Sequence, residues 1–187
     1  MNHVIDTGRI FLGLVFFCSV VGKVRGTAAF TGFRVAMARL APALRGRTRP
    51  VAVLVVGAEA AVVGALAVPS TVTAGFALAA VLLAAFTAVL VGALRRDETV
   101  ACHCFGGGGQ PVAPRHVLRN VGLLCAASAG LVAQLMTAGT TTATSRPAVY
   151  LFTAGAGAFL ALVTVALDEL AYLVGRSDAK STGRVRG

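Results

Sequence analysis

Two cysteines one residue apart, Cys102 and Cys104, flank His103 and run into Phe105 and the glycines Gly106 to Gly109. A Cys-x-Cys disulfide closes a very small ring, which is strained, and strain makes a bridge easier to reduce. Such a bond exchanges rather than holds structure. His103 favours the thiolate of a neighbouring cysteine, and the thiolate is the attacking species. The glycines leave the backbone open to the close approach of a partner protein. These residue types suit dithiol–disulfide exchange best. Two alternatives stand beside it. Cys102, Cys104 and His103, with His116, are soft ligands suited to zinc or copper, although the cysteines are closer together than zinc-finger pairs. The pair can also be incidental to a glycine-rich turn. No Gly-Lys-Ser/Thr follows the glycines, so the run is not a phosphate loop.

The remaining candidates are few. Glu59 lies in the middle of an apolar stretch of Ala, Val and Gly, and an ionisable group at membrane depth is costly enough to suggest function. Lys23, at the end of the preceding apolar stretch, either snorkels to the interface or bends toward Glu59. A structural hydrogen bond pinning two helices is the equal alternative. Arg119 and Asn120 open a later helix just after the cysteines, where Arg119 orients a thiolate or anchors to a lipid phosphate. Cys18 and Cys125 lie inside apolar stretches and read as small fillers. Cys125, about two turns into its span, is the better candidate for a resolving thiol.

The elements that position these residues follow from composition. The 187 residues are 57% hydrophobic and 13% charged, with a mean hydropathy of +0.82. That leaves too little polar surface for a soluble domain. Five apolar stretches approach the length that crosses a bilayer, roughly 20 residues: Ile5–Gly22, Val51–Val68, Val72–Leu94, Val117–Met136 and Ala148–Leu167, the last extending as far as Val174. Only helices satisfy their backbone internally at these lengths. The expected fold is therefore all-α, a polytopic transmembrane bundle of about five spans, or four plus an interfacial helix. The first stretch is expected to be a retained helix. Asp6 and Arg9 make a weak n-region, and no small-residue cleavage site follows.

Pro69-Ser70-Thr71 is a tight turn, which makes the second and third spans a hairpin. Between Lys23 and Pro50, Phe30, Phe33, Met37 and Leu40 fall at helical spacing, the pattern of an amphipathic helix lying in the interface. The tail, residues 176–187, is basic and expected to be disordered. With five spans, the long first loop, the cysteine loop and the tail share one side. Of the seventeen Lys and Arg, only Arg9 and Arg146 fall on the other. The positive-inside rule then puts the N-terminus outside and the cysteine loop in the cytoplasm. The same rule explains the net charge of +10 without nucleic acid, for which no recognition motif is present.

Four segments in this order carry a resemblance: Ser19-Val20-Val21-Gly22-Lys23, Glu59 in an Ala-rich helix, Cys102-His103-Cys104-Phe105-Gly106, and Pro114 to Asn120. Together they resemble the MauE family of methylamine-utilisation membrane proteins, related to DoxX-like proteins, over about residues 5 to 173. The resemblance implies an integral membrane domain over residues 1–175, linked to thiol–disulfide metabolism. It implies a thioredoxin-like partner and a disulfide-rich client such as the small subunit of methylamine dehydrogenase. Cys102 and Cys104 would then exchange electrons, His103 would tune them, and Arg119, Asn120, Glu59 and Lys23 would support them. No cofactor is called for, and whether the protein is an enzyme stays open. A non-enzymatic scaffold or metal-handling protein, with Cys102, Cys104 and His116 as ligands, is one alternative. A small-molecule carrier centred on Glu59 is another.

Overall fold

The computed structural model describes residues 2–41, 46–96, 101–102, 110–111, 113–137, 151, 153–164 and 166. His103, Cys104 and the tail at 176–187 lie outside the described residues. The elements in order are α1 (Asn2–Val24), α2 (Thr27–Leu40), α3 (Thr48–Ala67), a 3-10 turn (Pro69–Thr71), α4 (Val72–Arg95), the two-residue strands β1 (Ala101–Cys102) and β2 (Gln110–Pro111), and α5 (Pro114–Thr137). A shorter apolar helix, α6, covers Thr153–Thr164. The chain is an all-α bundle apart from the short β1–β2 pairing.

Four helices among the described residues are long and apolar enough to cross a membrane: Ile5–Val24, Thr48–Ala67, Pro69–Arg95 and Pro114–Thr137. They correspond to the first four expected spans. The fifth stretch contains α6, described over Thr153–Thr164. The Pro-Ser-Thr segment forms the expected tight turn. Thr71 Oγ1 donates to the carbonyls of Ala65 at 2.9 Å and Val68 at 3.1 Å, closing the end of α3 onto the start of α4.

Packing in the bundle depends on small residues meeting large ones, as it must where lipid supplies no hydrophobic drive between helices. Phe76 of α4 is fully buried in the core beside Leu12, Phe16, Val62 and Ala127. Its ring fits because α5 carries Gly130 there; a Cβ on Gly130 would stand 2.6 Å from Phe76 Cζ. On the other side a Cβ at Gly8 of α1 would be in ordinary contact with the same ring. Gly75 does the same for the α3–α4 hairpin, where a Cβ would approach Leu66 Cδ2 to 2.8 Å. Gly157 lets α6 lie on α1, with Thr7 O 2.8 Å from where its Cβ would be.

Arg9 closes the far end of the bundle. Its Nε donates to Leu66 O at 3.0 Å and its Nη2 to Ala67 O at 3.2 Å, satisfying carbonyls that the last turn of α3 leaves open. Asp6 lies 4.0 Å from the same guanidinium. Arg9→Met should therefore destabilise the protein by about 1–2 kcal/mol, read as a lower melting temperature of the purified protein in detergent. An unchanged melting temperature would show that these hydrogen bonds contribute nothing.

Candidate functional site

Lys23 is in the last turn of α1, where the helix dipole favours a cation. Long helical side chains lean back toward the N-terminus, over the residue four positions earlier. Lys23 does this, and its ammonium descends into the bundle instead of snorkelling outward. Nζ donates to Ser19 Oγ at 2.6 Å and to Glu59 Oε1 and Oε2 at 2.7 and 2.8 Å. Ser19 Oγ in turn donates to Glu59 Oε1 at 3.2 Å. The three acceptors match the three donors of an ammonium group, so the charge is fully solvated by protein. Lys23 is 2% exposed and Glu59 1%. Of the two courses open to Lys23 in the sequence, it takes the bend toward Glu59, and the two form a buried ion pair joining α1 to α3.

α2 lies over this pair. Its helical periodicity is as the sequence suggests, but its apolar face is turned onto the bundle. Phe33 and Ala36 are buried, and Lys23 Nζ sits 5.1 Å from the centre of the Phe33 ring, in cation–π range. Val35, on the opposite face, is half exposed. α2 is thus a cover, packed on α1, α3 and α4. Its C-terminal end is held by Arg96, whose Nη2 donates to Leu40 O at 2.8 Å.

Beneath α2 is a cavity of about 210 Å³. Ser19, Lys23 and Glu59 form part of its wall, and so do Arg119 and Asn120 of α5. The fold therefore brings together three segments that lie far apart in the chain, and the rest of the lining is apolar. Ser19 is the member that residue-by-residue reasoning gave no role. Its signal was present in the sequence, because it stands four residues before Lys23 and so on the same helix face.

Cys102 is positioned at the same end of the molecule. Ala101 pairs with Pro111 and Cys102 with Gln110, antiparallel. The pairing draws the two ends of the Cys–Gly segment together, and β1 lies against α2. His103 and Cys104 lie outside the described residues, so the thiol–imidazole arrangement and its relation to Arg119 rest on the sequence.

Pro114 is the first residue of α5, a position where its missing N–H costs nothing. His116, buried near that start, has Nδ1 3.1 Å from the Ala113 N–H. That contact gives the imidazole a capping role at the head of α5. Among the described residues no three His, Cys, Asp or Glu side chains group as metal ligands. Cys18 and Cys125 are both exposed on the outside of their helices, so neither fills a core position as the sequence suggested.

The family model described as Methylamine utilisation protein MauE matches residues 1–133. The match takes in the Lys23–Glu59 pair, the cysteine segment and Asn120, and ends inside α5. The Methylamine utilization protein MauE of Paracoccus denitrificans is 39% identical over 123 residues, covering 65% of this chain and 64% of that protein. The match thus spans just under two thirds of the curated relative's length. No solved structure matches. With a family model covering more than two thirds of its length, this chain belongs to the MauE family.

Proposed function

We propose that this chain is a membrane thiol–disulfide protein of methylamine utilisation, acting with a thioredoxin-like partner in the maturation of a disulfide-rich client. The observation that supports this reading is β1, which ends at Cys102, pairs with β2 and lies against α2, the helix that covers the polar end of the bundle. The partner's dithiol attacks the Cys102–Cys104 disulfide. A partner S–S bond forms as the Cys102–Cys104 bond breaks, and two electrons with two protons pass to the pair. The small ring makes that disulfide a ready acceptor. His103 tunes the thiols, while Arg119 and Asn120, near the start of α5, support the pair.

Orientation follows from charge. Among the described residues Arg25, Arg34, Arg39, Arg47, Arg49, Arg95, Arg96, Arg115 and Arg119 lie at or beyond the helix ends on the cysteine side, and Arg9 at the other. This bias does not depend on whether the fifth apolar stretch crosses the bilayer, and it favours a cytoplasmic cysteine segment.

The test is the Cys102→Ser/Cys104→Ser variant, expected to reach the membrane at normal levels and to lose maturation of the client. Cys104→Ser alone is expected to accumulate a mixed disulfide with the partner. Full client maturation by the double variant would sink the reading. In a Cys18→Ala/Cys125→Ala background, a membrane-impermeant maleimide should label the pair only after the cells are opened.

The cavity favours one other reading, a small-molecule carrier centred on Glu59. Its signature would be a Glu59→Gln variant without function while both cysteine variants remain active.

A further inference from the structure

We infer that the cavity beneath α2 binds a quinone-class molecule, a planar apolar ring bearing carbonyl oxygens. The choice of a redox-active ligand rests on the thiol–disulfide reading above; the existence of the site does not.

The walls set the first requirement. Phe16, Met37, Leu40, Val55, Phe86 and Leu90 supply apolar surface. The volume of about 210 Å³ exceeds that of cavities that accept benzene, roughly 150 Å³. The space therefore takes one substituted ring.

The polar end sets the second. Asn120 is 5% exposed and lines the cavity, and no hydrogen bond reaches its carboxamide among the described residues. An amide that meets no partner beside a largely apolar cavity is free to take one from a ligand. A carboxamide offers both donor and acceptor. Its NH2 can donate to a quinone carbonyl, and its oxygen can accept from the hydroxyl of the reduced form, so one side chain serves both redox states. The ammonium of Lys23 already donates to Ser19 and to both oxygens of Glu59, so it does not itself call for an anionic head group.

Access sets the third. Ala85 and Val89, on the rim, are exposed on α4, within a membrane-spanning helix. The opening therefore faces hydrocarbon, and the ligand enters from the lipid phase. Such a ligand completes the exchange. As Cys102 and Cys104 re-form their S–S bond, two electrons and two protons leave the thiols, and the quinone takes them up as hydroquinone. Electrons collected from a cytoplasmic partner thus pass into the membrane, and the cysteine segment can work from the basic side.

The experiment uses the full-length protein in nanodiscs with an azido-benzoquinone as photoaffinity probe. Saturable labelling of peptides containing Met37 or Phe86, displaced by an unlabelled short-chain benzoquinone, is expected. Asn120→Leu should weaken the apparent affinity by about tenfold, the loss of one buried hydrogen bond. Ala85→Trp, placed on the exposed rim where it leaves the core packing alone, should abolish labelling with an unchanged melting temperature. Labelling that does not saturate, or that persists in Ala85→Trp, overturns the site. Displacement by a diacyl phospholipid as effective as by benzoquinone makes the cavity a lipid slot and overturns the proposal. The Cys102→Ser/Cys104→Ser variant should bind the probe normally. If the cysteines prove essential but no quinone binds, this inference fails alone; if quinone binds and the cysteines prove dispensable, the thiol–disulfide reading fails alone.

Discussion

Glu59→Leu is expected to destabilise the protein by about 3–5 kcal/mol, the usual cost of removing one partner from a buried ion pair. The ammonium of Lys23 would keep Ser19 as acceptor but lose both carboxylate contacts. It has no route to water, being 2% exposed and lying against Phe33. Lys23→Met should cost a similar amount, because it leaves the carboxylate of Glu59 with only the Ser19 hydroxyl. Lys23→Met/Glu59→Leu should recover most of the loss, since removing both charges also removes both desolvation penalties. The measurement is thermal unfolding of the three purified variants, analysed as a double-mutant cycle. Single variants within about 1 kcal/mol of the parent would show that the pair is hydrated and weakly coupled. The double variant also separates fold from function. If it is stable and inactive, the pair contributes to activity itself and not only to the joint between α1 and α3.

Gly130→Val is the second large effect expected. The introduced Cβ falls 2.6 Å from Phe76 Cζ, and the ring has nowhere to retreat in a core that also holds Leu12, Phe16 and Val62. Overpacking of this kind costs about 1–3 kcal/mol and occasionally more. In the absence of a hydrophobic drive in lipid, loss of close α4–α5 packing has little to offset it. Phe76→Leu alone should also be destabilising, through the space it opens. Combined with Gly130→Val it should relieve the clash, so that the double variant is more stable than the sum of the singles predicts. Strict additivity in melting experiments would mean that α4 and α5 separate to absorb the side chain.

Much of this architecture is legible without coordinates, because the bilayer simplifies the problem. An apolar run of sufficient length must be a helix there, so the first four runs mark α1, α3, α4 and α5, and Pro69-Ser70-Thr71 marks the turn between two of them. The fifth run marks α6 in the same way, although only the structure reveals that it lies on α1 through Gly157. α2 was legible as a helix and less so as a cover. Periodicity reveals that Phe33 and Met37 share a face, but it does not say whether that face meets lipid or protein.

The site divides in the same way. Residue type and spacing alone singled out Cys102, His103 and Cys104 as the reactive segment, because the chemistry of a Cys-x-Cys pair is local to three residues. They also marked Glu59 as anomalous, because a charge in an apolar run is costly wherever it finally sits. What Glu59 is paired with, and that Asn120 shares its cavity, was decided only by tertiary structure. Those contacts join positions separated by dozens of residues, and their partners are chosen by helix packing around Phe76 and Gly130. Local sequence fixes which groups are costly to bury; only the assembled bundle determines which groups meet that cost together.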